Sequence, residues 1–447
     1  MLSANFTTGL PEYNQGPERG VSMKKVRKWF SVLLSVLLIL TVLPMASAPA
    51  FAVETTNSQD GNWGIYADYN KNTCTIYGYY GSEANLKIPS KIDGLKVTKI
   101  QLSTGGSPWT NNYTNRNSIV TIEVPDTITE LGYASFANLP NLKSVSIPSS
   151  VKTFGASLFA WSTSLEEFTI PKNMKEIPNG MFSSCTSLKN VTIHSGITAL
   201  GEGAFAGCTS LKTIKLPSKL KTIGERCFGT SSADWCGLES ISIPNSVTSI
   251  GCYAFNLCKN LTEVKMSTRI EEIGSNAFSE CENLKSITIP SSCKKIEYGV
   301  FDDCDSLTTV VFRSDLKLPS YSSPLHASSL LTVYSASSEK AVREYCSEKG
   351  IRWKSLNPPK LTSKKRTATT ATLKWSSVSG AVGYKVYMKT GTGSYKLMKT
   401  TTDLSYKATG LKKGVTYRFY VTTLKEDDLG QNIESKGSSV YKTYLKK

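Results

Sequence analysis

Apolar residues recur along this chain at a fixed interval. Aligned on a leucine, the positions are Leu142, Leu165, Leu188, Leu211, Leu238, Leu261, Leu284 and Leu307, each step 23 residues except one of 27. One step earlier lies Ile119, and a proline at offset six recurs as Pro125, Pro148, Pro171, Pro217, Pro244 and Pro290. Within a unit such as LKTIKLPSKLKTIGERCF, apolar side chains fall at offsets 0, 3, 5, 9 and 12, and a phenylalanine at 17. Offsets 3 and 5 alternate as the inward side chains of a half-buried strand do, and proline, which cannot donate to a ladder, ends it. Glycine at offset 13 (Gly132, Gly155, Gly201, Gly224, Gly251 and Gly274) is expected to mark a turn. Phe159, Phe182, Phe205, Phe228, Phe255, Phe278 and Phe301 are expected to stack beyond it. One unit cannot bury its own apolar face, whereas stacked units bury it against one another, so the period predicts a solenoid with a continuous core.

The strand, proline, Ile-Gly, Ala-Phe and Cys wording of these units resembles the BspA-like leucine-rich-repeat family of bacterial surface proteins, over about residues 74 to 356. The segment CTIYGYYGSEANLKIPSKIDGLKVTKI is similar to that family's N-terminal coil, and LTVYSASSEKAVREYCSEKGIRWKSL to its C-terminal cap. A helix is expected there from about Ser338 to Lys349, with Ala341, Val342, Tyr345 and Cys346 on one face and Gly350 as its stop. The resemblance implies attachment to host matrix proteins and other cells.

Past Asn357-Pro358-Pro359, strand-like runs follow at regular spacing (ATLKWSSV, GYKVYMKT, YKLMKTT, LSYKATGL, VTYRFYVTTL, SSVYKTYL), which predicts a β-sandwich. Trp375, Tyr384, Tyr387 and the corner Leu411-Lys412-Lys413-Gly414-Val415-Thr416-Tyr417 make this part similar to fibronectin type III domains. The expected fold class is therefore mainly β with short helical and loop segments, a leucine-rich-repeat solenoid followed by a fibronectin type III sandwich. The expected divisions are an N-terminal cap with an interrupted first repeat (53–118), repeats (119–330), a C-terminal cap (331–356) and the sandwich (357–447).

Lys24, Lys25, Arg27 and Lys28 precede an apolar run from Trp29 to Leu43 and the small residues of Ala50-Phe51-Ala52, the order of a secretory leader. The run is shorter than the roughly 20 residues of a spanning helix. Residues 23–52 are thus expected to be removed, with the mature chain starting near Val53 and no membrane span retained. Residues 1–22 fit no leader region. Translation is expected to begin at Met23, because Glu18-Arg19-Gly20 is encodable by a ribosome-binding purine run. YKTYLKK at the end of the sequence has neither an LPxTG-type motif nor an apolar tail, so covalent wall anchoring is not expected.

The net charge of +17 is unevenly placed: residues 53–356 carry 29 basic and 28 acidic residues, residues 357–447 carry 18 and 5. For an exported chain, nucleic acid is not the expected partner for this basicity. Anionic cell-wall polymer is the expected one, with Lys364, Lys365 and Arg366, then Lys412 and Lys413, then Lys446 and Lys447 as contacts. The alternative, that these lysines keep a spacer domain soluble, stands beside it.

Export makes disulfides the first expectation for eleven cysteines, but Cys185, Cys208, Cys258, Cys281 and Cys304 all fall three residues after the repeat phenylalanine. Side chains so stacked point the same way, which favours buried free thiols. Cys293 and Cys227 occupy core offsets, and Cys227 with Cys236 is the one expected loop disulfide. No CxxC, HExxH, nucleophile elbow or phosphate loop is present, and His194 and His326 are the only histidines. His194 stands at the proline offset, where a strand-end role outweighs a catalytic one. Asp302, Asp303 and Asp305 are expected to solvate a turn, with weak calcium binding as the other reading. No catalytic residue, metal or cofactor is expected.

Two insertions interrupt the period, at residues 103–118 and 229–237, and Trp109, Tyr113 and Trp235 within them are candidate ligand contacts. For Trp235, folding back over its own coil is the competing reading. The outward strand positions, offsets 2 and 4 from Thr121 and Glu123 to Thr309 and Val311, are mostly serine and threonine without an aromatic. Interface hot spots favour Trp, Tyr and Arg, so this face reads first as solvated β-surface. The expected function is binding or adhesion at the surface of a Gram-positive bacterium, with host or bacterial proteins or glycans as partners. An envelope-structural role and an accessory module for a secreted enzyme are the alternatives.

Overall fold

The computed structural model describes residues 53–102, 115–230, 235–319, 324–325, 329–427 and 430–445. The expected leader, Trp109, Tyr113, His326, Lys446 and Lys447 lie outside the described residues.

The sequence period becomes a spatial register. Offsets 2 to 4 form short parallel strands: Thr121–Glu123 pairs with Ser144–Ser146, Glu167–Thr169 with Asn190–Thr192, and Ser240–Ser242 with Glu263–Lys265. Offsets 11 and 12 form a second ladder, running through Glu176–Ile177, Ala199–Leu200, Thr222–Ile223, Ser249–Ile250, Glu272–Ile273 and Lys295–Ile296. Ile223 still faces Ile250 across the one long step, so the insertion is accommodated outside this ladder.

Between the ladders runs a column of eight fully buried phenylalanines, from Phe136 to Phe301, with neighbouring ring centroids 5.0 to 5.9 Å apart. Each stacked pair adds roughly 0.5–1.5 kcal/mol beyond its buried area. The rings therefore tie each coil to its two neighbours.

The glycines at offset 13 do not supply left-handed turns. Positive φ falls instead at offset 15 (Ser157, Gly180, Gly203, Arg226, Tyr253, Asn276) and offset 19 (Asn138, Trp161, Ser184, Gly207, Leu257, Glu280). At Gly251 the requirement is room, because a Cβ there would lie 2.6 Å from the carbonyl carbon of Gly224 in the preceding coil. Pro178 and Glu297 stand at the same offset in two other coils.

At the C-terminal end Thr309–Phe312, Thr332–Ser335 and Arg352–Ser355 continue the sheet in parallel. The helix expected over 338–349 spans Lys340–Glu348 and buries Val342, Tyr345 and Cys346, while Ala341 is half-buried. Gly350, at φ +66°, follows it.

The sandwich has a three-stranded sheet (Leu361–Arg366, Ala371–Trp375, Ser405–Ala408) and a five-stranded one (Gly383–Thr390, Lys396–Thr401, Thr416–Glu426, Asn432–Glu434, Tyr441–Tyr444). Trp375 and Tyr384 meet edge to face at 5.7 Å inside it, with Val386, Phe419 and Val421. The Tyr417 hydroxyl accepts the Lys412 amide at 3.0 Å, the corner that closes such sandwiches.

Candidate functional site

The outward strand face is built from small polar side chains, and its last coil is covered. Thr309 and Val311, expected to be exposed, are 1% and 2% exposed because the sandwich docks on them. The Thr309 hydroxyl donates to Asp427, and Val311 packs in one apolar cluster with Tyr334, Leu356 and Ile433. Around that cluster Arg313 donates to the Glu434 carbonyl at 3.2 Å and Lys425 to the Ser355 carbonyl at 2.9 Å. Desolvation in this junction lowers the Lys425 pKa. Lys436 pairs with Glu339 at 2.8 Å, and the Glu339 side chain is 2% exposed. A buried carboxylate needs such a counter-charge, so the pair fixes the orientation of the two parts.

Along the rest of the solenoid, lysines pair with glutamates of the adjacent coil, as in Lys189–Glu166, Lys294–Glu271 and Lys295–Glu272. Such exposed pairs contribute little stability, but they neutralise the surface and leave the solenoid no strong field of either sign.

The cysteine ladder is a hydrogen-bonded structural device. Cys185, Cys208, Cys281 and Cys304 donate their thiols to the carbonyls of Phe159, Phe182, Phe255 and Phe278 at 3.0 to 3.3 Å. Ser162 holds the same rung one coil earlier and donates to Phe136 at 2.9 Å. Desolvation pushes the Cys185 thiol up to about 12 and raises those of Cys208 and Cys281, which makes these three sulfurs poor nucleophiles. The disulfide differs from the expected one: Cys236 is bonded to Cys258, a ladder position expected to be a free thiol, and Cys227 is a free, buried thiol. Gly237 is set against Thr209, the residue after Cys208. Cys236 is therefore returned to the ladder beside Cys208 by the longer coil, which brings it to the next rung at Cys258. Sequence offset concealed this, because the insertion changes the count and leaves the stacking unchanged.

His194 is occupied by backbone. Its Nδ1 accepts the Gly196 amide at 3.1 Å, which leaves the proton on Nε2 to donate to the Pro171 carbonyl at 3.0 Å. Among the described residues no group of three or more His, Cys, Asp or Glu side chains converges as metal ligands, Asp302, Asp303 and Asp305 included. Trp235 is half exposed, and it is Lys259 of the following coil that lies over its ring, 4.9 Å from the centroid. A cavity of about 730 Å³ opens at the N-terminal coil, between Trp63, Tyr79 and Tyr80 and a mixed-charge rim of Asp60, Glu83, Lys87, Lys91 and Asp93.

The structure separates the basic residues that adjoin in sequence. Arg366 turns to the carbonyl of Tyr444, in the opposite sheet of the sandwich. Lys412 and Lys413 are exposed on the corner ahead of Tyr417. Lys365 instead pairs in register with Thr372, whose other neighbour is Lys407, and Lys374 follows on the middle strand. Lys374 and Lys407 carried no sequence signal, since strand pairing alone brings them beside Lys365.

The sequence profile described as BspA type leucine rich repeat region matches residues 110–234 and 229–349, in six copies, and that of the fibronectin type III domain matches 356–436. No curated protein matches the chain. Among solved structures, a leucine rich cell surface protein from Faecalibacterium prausnitzii is 25% identical, with 65% of this chain and 98% of that one covered and a TM-score of 0.32. A leucine-rich repeat protein from Bacteroides ovatus is 20% identical, covering 69% and 100%, at a TM-score of 0.33. The pneumococcal vaccine antigen PcpA is 16% identical, covering 68% and 99%, at 0.39. The assignment rests on the repeat profile, which spans more than half of the sequence, and not on these superpositions. With its period in register along both ladders, the chain belongs to the BspA-type leucine-rich-repeat family and carries a fibronectin type III domain after the repeats.

Proposed function

We propose that this protein is a recognition and adhesion protein of the bacterial cell surface, with the solenoid as its binding element and no catalytic role. The observation that carries this reading is the strand face between Thr121 and Thr288, where side chains at equivalent offsets stand one coil apart in parallel ladders. Such a surface is extended, rigid and charge-balanced, suited to a large protein or glycan partner. Membership of a family typical of bacterial surfaces supports the location, as does the leader-like stretch before Val53. No helix among the described residues is long and apolar enough to cross a membrane.

The test is capture by the immobilised protein from host matrix proteins, glycans, purified wall and whole bacteria. Saturable binding that falls at least tenfold when Glu167, Asn190 and Glu263 are exchanged for lysine supports the reading. Binding indifferent to those exchanges, or no capture from any of the four sources, overturns it.

A further inference from the structure

We infer that the three-stranded sheet of the sandwich is a binding face for a linear phosphate polymer of the bacterial wall. This goes beyond solenoid recognition, though the choice of a wall polymer rests on the surface location proposed above. The strands Leu361–Arg366, Ala371–Trp375 and Ser405–Ala408 hold five basic residues and no acidic one. Their inward side chains Ala371, Leu373 and Trp375 are buried in the core, so Thr372 and Lys374 face outward between them. Cross-strand partners share a face, which places Lys365 and Lys407 on either side of Thr372, and Ser363 and Ser405 on either side of Lys374.

The two outer lysines are two strands apart, about 10 Å, and Lys374 is about 7 Å along the middle strand. Three ammonium groups so placed lie within about one Debye length at physiological salt and act on a polyanion together. Lys365, Lys374 and Lys407 are all exposed. Asp403, the nearest acid in sequence, is held by Lys399 at 3.0 Å and by Thr401 at 2.8 Å, on the neighbouring sheet. Among the described residues, the other acids of the sandwich belong to the five-stranded side: Asp427 bonds Thr309, Glu434 bonds Lys385 and Tyr387, and Glu426 ends the strand Thr416–Glu426.

Docking completes the argument. The sandwich meets the solenoid through Lys425, Asp427, Ile433, Glu434 and Lys436, all on or beside the five-stranded sheet. The lysine face belongs to the other sheet, so it stays open while the solenoid keeps its own surface. A charged backbone with a negative group on every unit matches a row of lysines and hydroxyls, with serine and threonine as added phosphate donors.

The experiment measures binding of the full protein to immobilised glycerol-phosphate teichoic acid across a salt series. The triple variant Lys365→Gln, Lys374→Gln, Lys407→Gln is compared with Lys389→Gln, Lys396→Gln, Lys442→Gln, which removes the same charge from the five-stranded sheet, and with the triple arginine variant. Each phosphate contact contributes roughly 0.7 to the slope of log affinity against log salt on a single-stranded polyanion. The first variant is expected to bind at least tenfold more weakly at low salt, with a slope smaller by about 2. The control is expected to change less than threefold and the arginine variant to retain binding. Equal losses in the face and control variants would show diffuse attraction and sink the proposal. Tighter binding to heparin, duplex DNA or phosphatidylglycerol vesicles at equal charge concentration would assign the face to another polyanion, and also overturns it.

Discussion

Thr309 and Asp427, 118 residues apart in the chain, are joined by a buried hydrogen bond of 2.9 Å between their side chains. It binds the strand Thr309–Phe312 of the last repeat to the sandwich, beside the cluster of Val311, Tyr334, Leu356 and Ile433. The Asn357-Pro358-Pro359 segment is therefore a short bridge beside a packed junction. Truncating Ile433, 8% exposed, to alanine is expected to cost about 2–4 kcal/mol at this contact. Proteolysis near residue 357 should accelerate, and the sandwich should melt separately from the repeats. A single unchanged transition would refute the rigid junction.

The rung chemistry predicts an asymmetry at Cys208. Cys208→Ser keeps a donor for the Phe182 carbonyl, as Ser162 already does for Phe136, so a loss below about 1 kcal/mol is expected. Cys208→Val removes that donor and leaves the carbonyl with the Cys185 amide alone, so it is expected to be the costlier change, at about 0.5–1.5 kcal/mol. Urea unfolding of both variants decides between this and a purely apolar rung, for which valine would be the milder change.

Thiol counting under denaturing conditions should find nine reactive sulfurs without reductant and eleven with it. In the folded protein Cys252, the one free thiol that is not fully buried, should be labelled first. A blocked Cys227 in the oxidised protein would restore the pairing that sequence suggested.

Stability should fall in alkali. Burial pushes Cys74 and Cys293 up to about 11, and Cys185 and Cys346 up to about 12. In the unfolded chain thiols ionise near ~8.5, so above that pH the unfolded state loses protons that the folded state retains. The stabilisation is complete below about pH 8.5 and is lost progressively toward pH 12. Urea midpoints from pH 7 to 11 should decline, and less steeply in Cys185→Ser, which isolates the thiol from other groups that titrate there.

Gly251→Ala tests the close approach of coils. Its Cβ has no room against the Gly224 carbonyl carbon, so a loss of about 1–3 kcal/mol is expected. Gly350→Ala, with open space around its Cβ, should cost about 1 kcal/mol through its positive φ alone. Equal and small losses at both would place Gly251 in an ordinary turn.

The architecture was legible because one period sets everything local: Leu142, Val145, Ile147 and Phe159 recur one coil on, and register follows from the recurrence. Trp375 and Tyr417 announced the sandwich in the same way. What stayed hidden depended on contacts between distant residues. Thr309 and Val311 carry the same alternation as every other rung, and nothing within the repeat shows that Asp427 and Ile433 return to cover them. Lys364, Lys365 and Arg366 are adjacent in sequence but diverge, because neighbours on a strand point to opposite faces. Lys365, Lys374 and Lys407 are gathered by pairing across three strands, which no linear reading displays. The glycine column misled for a related reason: glycine at a turn and glycine under a neighbouring backbone look identical in sequence.

A stack of coils pulled at both ends yields by paying out one coil at a time. The bond between Cys236 and Cys258 spans a sequence separation of 22 residues, and that length cannot be drawn out. At about 3.4 Å per extended residue, roughly 75 Å of slack is withheld from a chain pulled at both ends. A pull from either end therefore runs through the Cys236–Cys258 bond and bypasses the residues between, which stay gathered however far the coils on each side are drawn out.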